Sequence, residues 1–323
     1  MQTVWNRSIA GFFGLCSARL SVPSTLSRPA RMGLNGTFEN ARKGGASMNI
    51  GIVTWTLGMT DPTHVVAKAR ERGLDAIQYA GDFRDCSGLA LRQAAADAGV
   101  AILAIDPFNA GPAQPEQASE EGAIEYFRHV VDFAVQAGQV PVTLHGLVQW
   151  TRNCPDRASA YRRLLACCKA VDAYAQAQGV RTLYEVCNHY EVPLIITSDE
   201  CRALIDEVGG TNLRMILDSF HMNIDERDPL ETIRRHAEHT AIYHISDSGR
   251  GGIGSGHIDF QAQYDALMTS GFTGDVAVEL VLPHRTPSSP PGGPDDVALL
   301  DREITRSVEA WRAFERKAGA VRG

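Results

Sequence analysis

VRTLYEVCNHYEVPLIITSDECRALIDEVGGTNLRMILD, residues 180–218, holds one complete unit of a repeating design. A largely apolar, strand-like run (180–186) leads into a stretch at 198–208 whose apolar residues recur at helical spacing, and a second apolar run follows at 212–218. Strand, helix and strand in that order imply parallel pairing through a right-handed crossover. Each strand stops on or beside a carboxylate, Glu185 in the first and Asp218 in the second. Burying an acid at the end of an apolar strand is costly unless a cation or a partner neutralises it.

The same alternation extends in both directions from this unit. Apolar runs lie near 49–55, 75–80, 100–106 and 139–146, then after the quoted stretch at 241–247 and 275–281. Amphipathic stretches fall between them, at 62–72, 88–98, 119–137, 157–178, 229–238 and 260–270. Gly73, Gly99, Gly138, Gly179 and Gly271 follow helices, where a left-handed C-cap is needed. Asp61-Pro62 and Asp228-Pro229 read as an N-cap with proline at the first helical position, and Ser198 opens an acidic first turn. Eight strand–helix units in about 275 residues match a closed barrel. A doubly wound open sheet would carry a Gly-rich phosphate loop after an early strand, and the sequence has none. The expected fold is therefore α/β, a single (β/α)8 TIM barrel over residues 48–323.

Composition narrows the function classes. The net charge is −7, from 38 acids against 31 Lys and Arg, and no basic run appears, so neither nucleic acid nor an anionic membrane is an expected partner. Seven cysteines without a Cys-x-x-Cys pair fit a reducing cytoplasm better than a disulfide framework. No apolar run reaches the ~18 residues of a transmembrane helix. Residues 1–47 differ from the rest: Arg7, Arg19, Arg28 and Arg31 precede any acid, and Ile9 to Cys16 is apolar, as in a signal or transit peptide. A disordered extension, or one absent from the native protein, is the plainer expectation. Lys43-Gly44-Gly45 can be encoded by a ribosome-binding sequence just ahead of Met48, which makes Met48 the expected natural start.

In a barrel, active sites sit at the C-terminal strand ends. Glu185, Asp218, His244 and Glu279 then come from strands five to eight and ring half of one face. Two Glu, one Asp and one His suit a hard or borderline divalent cation with coordination positions left open. Five motifs surround these residues: Glu185-Val-Cys-Asn-His-Tyr-Glu191, Leu217-Asp218-Ser-Phe-His221-Met-Asn, His244-Ile-Ser-Asp-Ser-Gly-Arg250, Gly254-Ser-Gly-His257-Ile-Asp-Phe and Val278-Glu279. Together they resemble the sugar isomerase/epimerase superfamily of xylose isomerase-like barrels, and within it the D-tagatose/D-allulose (psicose) 3-epimerase group. The resemblance spans roughly 48–281. It implies one divalent ion, Mn²⁺ ahead of Co²⁺ or Mg²⁺, held by Glu185, Asp218, His244 and Glu279. It also implies that Glu191, His221 and Arg250 hold a sugar substrate, in a homodimer or homotetramer. In one departure, Gln78 at the end of strand two stands where many relatives carry an acid.

The chemistry supports those roles independently. A ketose can chelate a divalent ion through its C2 oxygen and C3 hydroxyl, which acidifies the C3 hydrogen and stabilises the enediolate. Inverting C3 needs one base on each face of that planar species, and Glu185 and Glu279 are the candidates. His221, on the loop after strand six, would donate to the C2 oxygen. Glu191 would accept a substrate hydroxyl or steady His221, and Arg250 would neutralise enediolate charge from a glycine-rich, pliable loop or form a surface ion pair with Asp247. Trp55 and Phe108 are candidates for pocket walls or for core filling, and His145, on the same rim, is a candidate substrate contact. Cys187 reads as packing, directed away from Glu185, and Asp259 with His257 as capping the next helix. The same metal site would also serve an aldose–ketose or hydroxypyruvate-type isomerase, or a dehydratase of a keto-inositol or 3-keto-sugar. An endonuclease IV-like phosphodiesterase would need further His ligands and a basic groove, and a non-catalytic binding barrel would not need both Glu185 and Glu279.

Overall fold

The computed structural model describes residues 48–107, 110–287 and 289–322, with side chains as far as 320. The readings attached to residues 1–47 and to Phe108 lie outside the described residues. Eight parallel strands close into one barrel in sequence order. They are β1 (Ile50–Val53), β2 (Ala76–Tyr79), β3 (Ala101–Ile105), β4 (Val142–Thr143), β5 (Thr182–Glu185), β6 (Leu213–Asp218), β7 (Thr240–Ile245) and β8 (Asp275–Val278). Closure is made by β1 against β8, with Gly51 opposite Ala277. Glycine suits the close approach there: a Cβ on Gly51 would fall 2.8 Å from Leu103 Cδ1 and 3.0 Å from the Ala76 carbonyl oxygen.

The helices that follow are α1 (Pro62–Glu71), α2 (Gly88–Ala98), α3 (Glu120–Gln136), α4 (Arg157–Ala177), α5 (Ser198–Val208), α6 (Ser219–Asp225), α7 (Pro229–His236), α8 (Phe260–Thr269) and α9 (Pro294–Arg322). The five helix-following glycines all adopt positive φ, as at Gly99 (64°), which closes α2. Asp61 and Asp228 cap α1 and α7 ahead of their prolines, and Asp259 caps α8 by accepting from the Ala262 N–H. Thr197 rather than Ser198 caps α5, accepting from the Glu200 N–H, so Ser198 becomes the first helical residue. None of the described helices is long and apolar enough to cross a membrane.

Two apolar layers hold the barrel. The larger lies between strands and helices and includes Tyr184, Leu217, Tyr243 and Val276. The smaller fills the barrel interior with Val53, Ala76, Leu103, Ala104, Leu183, Ile216, Ile242 and Ala277. Side chains alternate along a strand, so residues two positions further on share the interior face. That places Trp55, Gln78, Asp106, Glu185, Asp218, His244 and Glu279 in the next layer, at the C-terminal mouth. The period of two has built a polar floor on an apolar plug.

Two helices depart from the sequence reading. The segment after β6, expected as a loop, is α6, because Asp218 ends its strand and at once accepts from the His221 N–H as the helix N-cap. The C-terminal α9, for which the pattern gave no element, buries Trp311 against Tyr243, Tyr264 and Phe314. One and two turns before Trp311, Ser307 and Glu303 hold the backbone N–H groups of Ile253 and Gly252.

Candidate metal and sugar site

Glu185, Asp218, His244 and Glu279 converge, each offering one ligand atom, and those atoms all lie within 4.8 Å of one another. All four side chains are buried. Nδ1 of His244 is the common neighbour, 3.2 Å from Glu185 Oε1, 3.5 Å from Glu279 Oε2 and 3.8 Å from Asp218 Oδ2. Asp218 Oδ2 and Glu279 Oε2 are buried without a hydrogen bond. Two orphaned carboxylate oxygens aimed at one imidazole nitrogen are the signature of a cation site. The donor set, three carboxylates and one imidazole, fits a divalent ion of the hard-to-borderline class.

The electrostatics agree. Burial and the neighbouring Glu279 push the Asp218 carboxyl well above the usual range. Burial also works against ionisation of Glu279, but His244 and Arg250 outweigh it and hold its carboxyl low. For His244 burial opposes the charge, yet Glu185 and Glu279 prevail and hold the imidazole high. A cluster of carboxyls that shifts its neighbours in this way is under-neutralised, and a divalent cation is the group that would relieve it.

Around this centre the substrate-side candidates form one connected network. His221 Nε2 lies 3.8 Å from Glu185 Oε1, and burial together with Arg250 holds the imidazole well below its ordinary value. Arg250 Nη1 donates to Glu191 Oε1 at 2.8 Å, and Nη2 sits 3.6 Å from Glu279 Oε2 and 3.5 Å from His221 Nε2. The Arg250 guanidinium lies 4.8 Å from the Phe220 ring centroid and 5.9 Å from that of Trp55. Arg250 is thus buried and paired with Glu191, not with Asp247 at the surface. Asp247 instead accepts from the N–H groups of Ser248, Gly254, Gly256 and Ile258, and so organises the loop. The expected pliable loop is pinned by Asp247 from within and by α9 from outside, which holds Arg250 at a φ of 62°.

Cys187 does not point away from Glu185. Its sulfur lies within 4.8 Å of ligand atoms of Glu185 and His221, because residues two apart on extended chain share a side. Burial raises its thiol well above the ordinary value, so it stays protonated and is a poor cation ligand. His145 stands at the rim, Nδ1 3.6 Å from Glu185 Oε2 and Nε2 3.7 Å from Asp106 Oδ1. Trp55 does more than line the pocket: its indole N–H donates to Glu279 Oε1 at 3.1 Å. His257 pairs with Asn223 at 3.1 Å.

Three residues carry parts the sequence reading did not assign. Asn188 meets His221 Nδ1 through its side-chain amide (2.7 Å) and its backbone N–H (3.2 Å), and also donates to Glu191 Oε1 at 3.2 Å. Gln78 meets His244 Nε2 at 2.9 Å, and Asp106 meets Gln78 at 3.1 Å. The signal for Gln78 and Asp106 was the alternation along β2 and its continuation past β3; Asn188 lay in plain view inside a quoted motif.

Comparison with known proteins points the same way. Residues 66–303 match the family described as xylose isomerase-like TIM barrel. The chain is 33% identical over 256 residues to an L-ribulose 3-epimerase of Mesorhizobium japonicum, covering 76% of this chain and 80% of the relative. It is 25% identical over 227 residues to a D-psicose 3-epimerase of Agrobacterium fabrum, covering 66% and 77%. A solved L-ribulose 3-epimerase structure superposes with a TM-score of 0.70 at 26% identity, covering 86% of this chain and 99% of that one.

Proposed function

Because the chain belongs to the xylose isomerase-like TIM barrel family, we propose that it is a divalent-metal-dependent epimerase inverting C3 of a ketose or keto-sugar derivative. The observation that carries this is the pair Glu185 and Glu279. Both approach Nδ1 of His244, at 3.2 and 3.5 Å, from strand ends three places apart round the barrel. Epimerisation needs a base and an acid on the two faces of one carbon, and two carboxylates bordering one buried point can supply them. The likeness to an L-ribulose 3-epimerase supports the same reading.

Glu185, Asp218, His244 and Glu279 would hold the ion, Mn²⁺ ahead of Co²⁺ or Mg²⁺. A divalent ion held there would supply Lewis-acid polarisation of the substrate C2 carbonyl. The protein's own part is proton traffic and orientation. One of Glu185 and Glu279 takes the C3 proton while the other returns one to the opposite face. His221 Nε2–H donates to the C2 oxygen, and Arg250, held by Glu191, faces the developing negative charge. The assembly we expect is a homodimer or homotetramer.

The test is hydrogen exchange in D2O, followed by NMR, on a panel of L-ribulose, D-fructose, D-tagatose and D-allulose. Deuterium at C3 with appearance of the C3 epimer, lost on EDTA treatment and restored by Mn²⁺, is the expected result. Exchange confined to C1 would make the enzyme an aldose–ketose isomerase. Absence of exchange on every ketose would remove this substrate class.

A further inference from the structure

The half of the barrel that offers no candidate ligand carries a polar relay ending on His244. Gln78 of β2 is buried, as are Asp106 just past β3 and Thr143 of β4. Thr143 Oγ1 donates to Asp106 Oδ1 at 2.6 Å, Gln78 Nε2 donates to Asp106 Oδ2 at 3.1 Å, and Gln78 Oε1 faces His244 Nε2 at 2.9 Å. Each link has one allowed direction. An ionised carboxylate only accepts, so the Gln78 amide must present its NH2 to Asp106 and its carbonyl oxygen to His244. That oxygen also only accepts, so His244 Nε2 must carry the hydrogen. The lone pair of the neutral ring is then left on Nδ1, the nitrogen among Glu185, Asp218 and Glu279.

We infer that Gln78, oriented by Asp106, is the positioning residue that fixes the His244 tautomer and ring angle for divalent-cation binding. The inference rests on the metal-site part of the proposed function. An amide does here what a carboxylate does behind many metal-bound histidines. It has a further consequence: the negative charge sits one residue back, on Asp106. The Gln78 layer therefore orders the ring without adding a fourth carboxylate beside Glu185, Asp218 and Glu279.

The relay can be reversed in polarity, which gives the test its power. In Gln78→Leu, His244 Nε2 and Asp106 Oδ2 lose their partners and both tautomers become accessible. In Gln78→Glu, two carboxylates confront one another across the same gap. The double variant Gln78→Glu with Asp106→Asn exchanges the amide and the carboxylate between the two positions. The amide introduced at position 106 donates to the carboxylate at position 78 and accepts from Thr143. The carboxylate at position 78 accepts from His244, so the wild-type direction returns at the ring.

The measurement is Mn²⁺ affinity by isothermal titration calorimetry on wild type and the three variants, with folding followed by circular dichroism. It is paired with the 15N shifts of the His244 ring in histidine-labelled, metal-free protein at alkaline pH, where the ring is neutral and no ion fixes its tautomer. Gln78→Leu and Gln78→Glu should bind Mn²⁺ about 10–100-fold more weakly. The Gln78→Leu ring should lose its pure Nε2–H signature, and the double variant should recover both affinity and signature. Wild-type affinity and tautomer in Gln78→Leu, or a double variant as weak as Gln78→Glu alone, would overturn the inference. If wild type itself takes up no divalent ion, the metal reading falls and this inference with it; binding by wild type that Gln78→Leu matches removes the inference alone.

Discussion

The Asn188 side-chain amide lies 2.7 Å from Nδ1 of His221, and the Asn188 backbone N–H points at the same atom from 3.2 Å. The backbone can only donate, so Nδ1 accepts and the hydrogen of the neutral ring resides on Nε2, a placement the 3.2 Å contact favours over the longer, 3.5 Å approach of the donor-only Arg250 guanidinium to Nε2. Burial and Arg250 keep the ring neutral. His221 is thereby set as a donor towards the site. Removing it, as in His221→Leu, should lower kcat by about 10²–10³-fold, the usual loss for one donor to a developing oxyanion. Asn188→Ala keeps the backbone donor and should lose less. Asn188→Asp places an acceptor opposite Nδ1, invites the wrong tautomer and should lose more than Asn188→Ala. Steady-state kinetics on the three variants check this order; equal losses for the two Asn188 variants would contradict it.

The frame and the central cluster were legible in the sequence because both are periodic. Strand ends carrying Glu185, Asp218, His244 and Glu279 stand out as polar residues that interrupt apolar runs, and closure of the barrel brings them together. What escaped was whatever depends on contact between distant strands. Nothing in the local pattern says that Gln78 meets His244, 166 positions away, or that Trp55 meets Glu279, 224 away. The surface ion pair weighed as the alternative for Arg250 fails for the same reason: Asp247 is near in sequence, but its oxygens are taken up by four loop N–H groups. The α6 segment was missed because seven residues are too short for a helical period to show.

Asp296, in the first turn of α9, governs the segment that follows Glu279. Its carboxylate accepts from the Gly292 N–H at 2.7 Å, Arg285 Nε at 2.8 Å and His284 Nε2 at 2.7 Å, folding the segment back beside Trp55. The Gly292 N–H above all, with Arg285 and His284 adding to it, lowers the Asp296 carboxyl from 3.8 to about 2. The folded protein binds this proton less readily than the unfolded chain, so ionised Asp296 favours the fold above pH 3.8, and that contribution is lost as pH falls towards about 2. Melting temperatures of wild type and Asp296→Asn should differ most at pH 6, still differ at pH 3 and converge only as pH falls to about 2. A gap that is constant with pH would show that the carboxylate charge is not what holds the segment.

Loading the cluster with a divalent ion should stabilise the fold, since the ion binds the assembled site and not the separated strands. At a free concentration of 100 times Kd the gain is about 2.7 kcal/mol, or roughly 5 °C in Tm for a domain of this size. Differential scanning fluorimetry with Mn²⁺ and with EDTA reads it directly. Asp218→Asn should remove most of the increment, because Asp218 Oδ2 is one of the cluster's two carboxylate oxygens left without a hydrogen bond. An increment unchanged in that variant would place the ion elsewhere.

If Glu185 and Glu279 serve opposite faces of one carbon, their loss should be asymmetric. Glu185→Gln and Glu279→Gln should each reduce net epimerisation by about 10²–10⁴-fold, the span of a lost acid–base group. Each retains one base, however, and the epimer whose C3 hydrogen faces that base can still exchange it. In D2O one variant should wash deuterium into one C3 epimer, and the other variant into the opposite epimer, with little interconversion in either case. Both carboxylates also border the cation cluster, so Mn²⁺ affinity must be measured alongside to separate a lost base from a lost ligand. Complementary wash-out with metal retained would assign one face to each residue. Abolition of exchange from both epimers in either variant, with metal still bound, would leave a single base for both faces and rule out the two-base arrangement.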